Sequence, residues 1–385
     1  MKLLYISNIA NESGITNFSM SAQEACHELG IEMHYAKNFS KLSYEKSQNL
    51  EKKHRVTLHH IDFKRNPFHL ANIRAIYQLV NVIKKEKIDI IHCNTPVGGV
   101  CGRIVGLICG IRPVIYQSHG FHFFRRAPLK NWLLYYPAER IMAHWTDFLL
   151  TINDEDYENA LKFKLRNHGK VFRTLGVGLE TEKYSNCIVD KKQYRKNIGV
   201  PEDSILLITV GEVAERKNHI TLIKALAKLQ NDKIFLIICG EGKDMKLLQA
   251  LSKKYDLDNN VIFLGRREDI PELCNIADIY CFPSKREGMG IAAMEGMAAG
   301  LPLISSNIQG IKDYAKQGKT GYVLEYDDVN GFAVAIEKLA NNQELRERFG
   351  KYNKEFIKKY DRSMCTKCYR QIYESIIEEM KNGNS

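Results

Sequence analysis

The sequence predicts an α/β protein built from two Rossmann-like domains, each a parallel sheet covered by helices on both faces. Three observations carry that prediction. Short apolar and β-branched runs recur along the chain, the segments between them repeat apolar residues at helical spacing, and the alternation starts afresh near residue 205. The runs are apolar throughout rather than at every second residue, as expected for strands buried on both faces. A chain of 385 residues with 44% hydrophobic content can fill two such cores.

In the first half the strand-like runs are KLLYIS (2–7), DIIHCN (89–94), PVIYQS (113–118) and FLLTIN (148–153). In the second they are ILLITVGE (205–212), KIFLIICG (233–240), VIFLG (261–265), IYCFPS (279–284), LPLISS (301–306) and GYVLE (321–325). NHITLIKALAKLQ and DMKLLQALSKKY have the helical period between them. The domains are expected at 1–180 and 186–361, and SMCTKCYRQIYESIIEEM, after Arg362, reads as a last helix. Ligands of such sheets sit beyond the carboxyl ends of the strands, so the loops there carry the functional question. After KLLYIS comes NIANESG, without Gly-x-Gly-x-x-Gly, which argues against a dehydrogenase.

Composition narrows the classes further. The formal charge of +11 suits anionic partners: nucleic acid, phosphate-rich small molecules or an acidic membrane surface. The opening MKLLYISNIANESG meets Asn8, Asn11 and Glu12 too early for a secretory h-region, and the apolar stretch 97–111 is broken by Arg103. A cytoplasmic protein is expected, free or held peripherally on the inner face of the cell membrane. Several of the ten cysteines lie in apolar strand-like runs, where Cys acts as a small hydrophobe. The single close pair, Cys365 and Cys368, falls short of a zinc site.

The stretch 285–300, KREGMGIAAMEGMAAG, carries the chemistry. It leaves the strand IYCFPS, turns through Gly288, Met289 and Gly290, and enters a helix at Ile291 that stops at Gly300. The glycines let backbone approach a ligand, and the first helical amides with the helix dipole suit a diphosphate. Glu287 is placed to accept from sugar hydroxyls. Glu295, about two turns on and on nearly the same helix face, is placed to accept from a ribose, with Ala292, Ala293, Ala298 and Ala299 leaving room. Spacing alone leaves a plainer role open, with Glu287 starting a helix and Glu295 solvated.

At these residues the chain resembles the retaining glycosyltransferases of family 4, whose fold is GT-B, with two Rossmann-like domains whose parallel sheets face an interdomain cleft. PSKREGMGIAAMEGMAAGLPLISSNIQGIKDYAKQGKTGYVLE looks like their glutamate-x7-glutamate signature. DIIHCNTPVGGVCGRIVG, VIYQSHGFHFFRRAPLKNWLLYYPAER, LTINDEDYENA, GVGLETEKY and VGEVAERKNHITLIKAL are similar to the branch of bacterial capsule and exopolysaccharide loci. The resemblance implies that Glu287 meets the donor sugar, Glu295 the ribose, and Lys217 the diphosphate. Many members have arginine where this chain has Glu212, and Arg216 is the expected substitute. It also implies that His119, just past the strand PVIYQS, sits beside the transferred sugar, that Gly14 approaches the donor or acceptor, and that the helix 362–385 packs back on the first domain.

The expected activity is therefore transfer of a hexose or N-acetylhexosamine from a nucleotide-sugar, a UDP-sugar by expectation, to a lipid-diphosphate-linked saccharide in surface polysaccharide synthesis. No metal or other cofactor is expected, because fixed cations can steady a departing diphosphate. Asp154, Glu155 and Asp156 mimic a metal motif, but acidic residues at a helix start explain themselves. Arg125, Arg126, Lys130 and Trp132 mix basic heads with aromatic rings, as a headgroup zone or acceptor surface requires; an ordinary packed helix is the plain alternative. Nucleic acid is not an expected partner. Two other readings remain at this point: a nucleotide-sugar epimerase of the same architecture, and a nonenzymatic saccharide-binding protein.

Overall fold

The computed structural model describes the chain except for residues 9–14, 16, 65, 67–68 and 383–385. The chain divides into two compact units, Met1–Gly178 with Arg362–Ser385, and Leu179–Asp361.

The first unit holds a seven-stranded sheet in the order β3-β2-β1-β4-β5-β6-β7. Its strands are β1 (Lys2–Ile6), β2 (Glu32–Lys37), β3 (Thr57–His60), β4 (Ile90–Asn94), β5 (Val114–Gln117), β6 (Phe148–Thr151) and β7 (Lys170–Arg173). Its helices are α1 (Asn17–Glu28), α2 (Tyr44–His54), α3 (Ala71–Glu86), α4 (Pro96–Cys109), α5 (Leu129–Ala143) and α6 (Asp154–Ala160). Every pairing is parallel. Alternation along β1 sorts the core into two layers: Leu3 and Tyr5 face α1 and the C-terminal helix, whereas Leu4 and Ile6 face α3 and α4.

The C-terminal helix (Arg362–Asn382) is tied to the sheet by buried polar groups as well as by Ile372 and Ile376. The His92 Nδ1 and the Tyr373 hydroxyl lie 2.8 Å apart, and the Gln117 amide donates to the Tyr369 hydroxyl. Thr366 donates to Glu24 of α1 at 2.7 Å.

The second unit holds a six-stranded parallel sheet in the order β10-β9-β8-β11-β12-β13. The strands are β8 (Ile205–Val210), β9 (Ile234–Cys239), β10 (Val261–Gly265), β11 (Ile279–Phe282), β12 (Leu303–Ser306) and β13 (Gly321–Leu324). Helices α7 (Thr181–Ser185) and α8 (Lys191–Asn197) precede β8; α9 (Ile220–Leu229), α10 (Met245–Lys254), α11 (Ile270–Ile276), α12 (Ile291–Ala298) and α13 (Ile311–Tyr314) run between the strands; α14 (Val329–Ala340) and α15 (Gln343–Ile357) follow β13. Strand order reverses between β8 and β11, which puts the switch point of this sheet at the loops 211–219 and 283–290.

The expected strands all form, but β2, β3 and β7 were not expected. Each carries polar residues inside it: Glu32, His34 and Lys37 in β2, His59 and His60 in β3, Lys170 and Arg173 in β7. β3 and β7 are the edge strands of the sheet, whereas β2 lies inside it with His34 and Lys37 buried, the His34 ring bonding to Glu32 and His59. All ten cysteines are free, and seven are buried as small hydrophobes. Among the described residues no group of three His, Cys, Asp or Glu converges as for a metal, and no helix is long and apolar enough to cross a membrane.

Candidate active site

The site of the second unit begins where β8 ends. Gly211 has a φ of 151°, and a Cβ there would stand 3.0 Å from Lys217 Cε, so the glycine lets the lysine fold back across the strand end. A 3-10 turn, Glu215–Lys217, presents the two cations, and Asn218 follows in the left-handed region at φ 58°. The Asn218 amide donates to the carbonyls of Pro283, at 3.0 Å, and Tyr326, at 2.7 Å. The Lys285 amide donates to the Arg216 carbonyl at 2.8 Å, and its ammonium to Glu215 at 3.2 Å. The loops after β8 and β11 are thereby clasped together.

That clasp brings Lys217 Nζ to 2.7 Å from Glu287 Oε1, with both side chains about nine-tenths buried. Ser284 Oγ donates to the same carboxylate oxygen at 3.0 Å, and Lys217 Nζ lies 4.8 Å from the Phe282 ring centre. Arg216 reaches Glu287 at 3.5 Å with one guanidinium nitrogen and Glu212 at 3.0 Å with another. Glu212, at the position where the resemblance leads one to expect arginine, is thus engaged with the arginine expected to replace it.

The turn between Glu287 and α12 is shaped by close backbone approach. Gly290 caps the helix at φ 76°, and a Cβ there would lie 2.8 Å from both Phe282 and the Tyr314 hydroxyl, which donates to the Gly290 carbonyl. Gly310 packs against the carbonyl of Gly288, where a Cβ would come within 2.0 Å. Met289 is buried, and Ile291 opens the helix.

One detail of this segment differs from expectation. Glu287 precedes the helix, which starts only at Ile291, so Glu287 and Glu295 do not share a helix face. The small residues of α12 also have a packing role: Ala293, Ala298 and Ala299 are buried, and Gly296 sits on the Tyr280 ring, with a would-be Cβ 2.1 Å from it. Small residues here let α12 lie close on β11. Glu295 is half-buried, and burial raises its carboxyl above the usual range; a hydrogen bond with Tyr184 and the charges of Lys183 and Lys217 oppose that rise.

Sequence reading missed Ser284, Phe282, Tyr184 and His219. A serine two residues past a strand and an aromatic inside one give no signal. His219 is buried, its Nδ1 has no hydrogen-bond partner among the described residues, and burial with the nearby Lys217 charge holds its pKa down to about 4. It lines a cavity of about 130 Å³ with Glu215, Asp244 and Lys285.

In the first unit His119 stands two residues beyond β5. Neither ring nitrogen has a hydrogen-bond partner among the described residues, and burial holds the pKa down to about 4. The Phe18 ring meets the imidazole edge-on at 5.6 Å. Two unpaired, buried ring nitrogens beyond a strand end call for a ligand or water. Gly14 lies outside the described residues. The acidic triplet has structural partners: the Asn153 side chain caps α6 by accepting from the Asp156 amide, Asp156 accepts from the Phe121 amide at 3.0 Å, and Asp154 pairs with Arg173 at 2.8 Å.

The basic, aromatic segment separates into two faces. Arg125, Arg126 and Lys130 are exposed, and Trp132 is partly buried: it packs between Phe123 and Tyr136 and donates to the Phe124 carbonyl at 3.3 Å. The most exposed apolar groups of α5 are Leu129, Leu133, Leu134 and Ile141, with Leu129 and Leu133 at least 70% accessible. The buried Arg103, paired with Glu139 at 2.8 Å and 3.9 Å from the Tyr116 ring centre, holds α5 on the sheet.

Two Rossmann-like units, one with a cation-bearing loop and a glutamate–glycine turn at its switch point, have the architecture of GT-B glycosyltransferases. Residues 190–356 match the family of glycosyl transferases group 1, and residues 40–153 match a glycosyl transferase 4-like family. Over 358 residues, 91% of either chain, the sequence is 33% identical to EpsD of Bacillus subtilis (strain 168), assigned as a glycosyltransferase by name. It is 29% identical to the UDP-Gal:alpha-D-GlcNAc-diphosphoundecaprenol alpha-1,3-galactosyltransferase of Escherichia coli, over 73% of this chain and 74% of the other. The fold superimposes on that of Anabaena Alr3699/HepE in complex with UDP and glucose, at a TM-score of 0.79 and 17% identity, covering 98% of this chain and 100% of that one. The chain belongs to the GT-B glycosyltransferases and is a transferase enzyme.

Proposed function

We propose that this enzyme transfers a hexosyl or N-acetylhexosaminyl group from a UDP-sugar to a lipid-linked saccharide, retaining the anomeric configuration, in the synthesis of a surface polysaccharide. The observation that carries the reading is the Lys217–Glu287 pair at the carboxyl ends of β8 and β11. A diphosphate entering this loop pair competes with Glu287 for Lys217 and Arg216. Once displaced, the Glu287 carboxylate accepts from the hydroxyls of the bound sugar, and the two cations stay with the phosphates.

As the bond between the anomeric carbon and the phosphate oxygen breaks, negative charge grows on the diphosphate, where Lys217 and Arg216 stabilise it. The acceptor hydroxyl bonds to the anomeric carbon on the face the diphosphate leaves, and its proton passes to the departing phosphate oxygen. No side chain is assigned as a nucleophile, and these steps need no metal. Glu295 accepts from the ribose, and the neutral His119 positions the sugar.

The donor and acceptor assignments draw support from relatives. UDP and glucose are bound in the Anabaena structure, and the E. coli relative is named for a UDP-sugar donor and a diphosphoundecaprenol acceptor. The exposed leucines of α5 beside Arg125, Arg126 and Lys130 support contact with the acidic membrane surface that would hold such an acceptor. The test is mass spectrometry and NMR of products from a panel of UDP-sugars with diphosphate-linked lipid saccharides. The expected product keeps the donor's anomeric configuration. UDP release that is indifferent to every acceptor, or an inverted linkage, contradicts the reading.

A further inference from the structure

We propose that the second unit carries a separate binding site for an acidic saccharide chain, in the groove between the β12–β13 connection and α15. The groove encloses about 700 Å³ beside β13, an edge strand of the sheet. Lys312, Lys316 and Lys319 line it, and none of its lining residues is acidic. Among the described residues none of the three has a carboxylate within ion-pair distance; the Lys316 ammonium donates to the Lys312 carbonyl at 2.7 Å. The nearby Glu355 is turned to Lys358, at 2.8 Å. Glu325 touches the rim through Asn307, whose amide donates to its carboxylate at 3.3 Å, and the three ammonium groups around one opening outnumber it and draw anions by their summed field.

The floor supplies a second kind of contact. Tyr352 and Phe356, one turn apart on α15, stack with ring centres 5.5 Å apart and planes 19° apart. Phe356 is also met by Lys359, whose ammonium lies 4.0 Å from its centre. Tyr352, 37% exposed, is therefore the ring that remains for a ligand. A single-stranded nucleic acid needs successive rings for successive bases. One apolar ring face among ammonium groups fits a pyranose whose C–H face packs on the ring while its carboxylate, or that of its neighbour, meets a lysine. The saccharide assignment rests on the polysaccharide reading above. The site itself uses none of the donor-binding residues.

The full chain is tested by calorimetry against hexagalacturonate, with maltohexaose and a deoxythymidine dodecamer as comparison ligands. Hexagalacturonate is expected to bind in a salt-dependent manner, and maltohexaose to bind at least an order of magnitude more weakly. Lys312→Ala with Lys319→Ala, and separately Tyr352→Ala, are expected to weaken hexagalacturonate roughly tenfold or more and to leave UDP binding unchanged. Lys217→Ala should do the reverse, so failure of this site and failure of the donor site are distinguishable. Lys316 and Lys319 are both exposed, and their double alanine variant replaces the first should that unfold. Hexagalacturonate binding that survives these variants, or tighter binding of the dodecamer, overturns the proposal.

Discussion

The Lys217 ammonium and the Glu287 carboxylate meet at 2.7 Å on two loops that are distant in sequence, each fixed by its own glycine: Gly211 before the lysine, Gly290 after the glutamate. The pair is nearly buried and shares its carboxylate with Ser284 and Arg216, so the cations are preorganised before any donor arrives.

Glu287→Gln separates the roles of this carboxylate. The change frees Lys217 and Arg216, so UDP affinity should hold or rise, while turnover falls about a hundredfold or more because the sugar loses its charged acceptor and keeps only a neutral amide oxygen. Leaving a buried ammonium without its counter-charge should cost roughly 1–3 kcal/mol of stability. Steady-state kinetics beside urea unfolding checks both.

Glu212 holds Arg216 at 3.0 Å in an exposed pair. Glu212→Gln should release the guanidinium toward a diphosphate and tighten UDP binding by a factor of about two to five, as expected for a surface charge pair. An unchanged or weaker affinity in calorimetry would remove Arg216 from the diphosphate site.

His119 is held neutral by burial, with its pKa lowered to about 4. The unfolded chain takes up a proton near the ordinary 6.5, so the folded state loses stability as pH falls from there toward 4, and no further loss from this group follows below. His119→Gln should unfold less steeply across that window than the parent. NMR titration of the ring should show no protonation near 6.5.

Tyr373→Phe removes the hydroxyl that faces His92 Nδ1 in the buried layer under the C-terminal helix. The unpaired nitrogen should cost roughly 1–3 kcal/mol in urea unfolding. UDP affinity, which belongs to the other unit, should not change.

Leu133 and Leu134 are exposed on α5, so paired glutamate substitutions should cost little stability. Sedimentation with vesicles rich in phosphatidylglycerol should nonetheless be lost. Retained sedimentation would move the membrane contact elsewhere.

Much of this fold was legible because its inner strands are buried on both faces and therefore read as uninterrupted apolar runs. The strands β2, β3 and β7 escaped because histidine, lysine and arginine interrupt their apolar runs: β3 and β7 lie at the sheet edges, and in β2 the buried His34 is satisfied by Glu32 and His59. The glutamate–glycine turn was legible from its glycines, but the pairing of Glu287 with Lys217 was not. It depends on Asn218 reaching the Pro283 carbonyl, a contact across 65 residues that no local pattern encodes. The partial burial of Trp132 was hidden for a related reason. A helix that carries several leucines and one tryptophan does not say which of them faces the sheet, and here Trp132 packs against the rings of Phe123 and Tyr136.

The account rests on Lys217 holding the donor's diphosphate, and calorimetric titration of UDP into the parent chain and into Lys217→Ala tests it most directly. The prediction is saturable binding to the parent and affinity at least about tenfold weaker in the variant, with its unfolding transition still cooperative. Equal UDP affinity in both proteins, or no association with the parent, would contradict it.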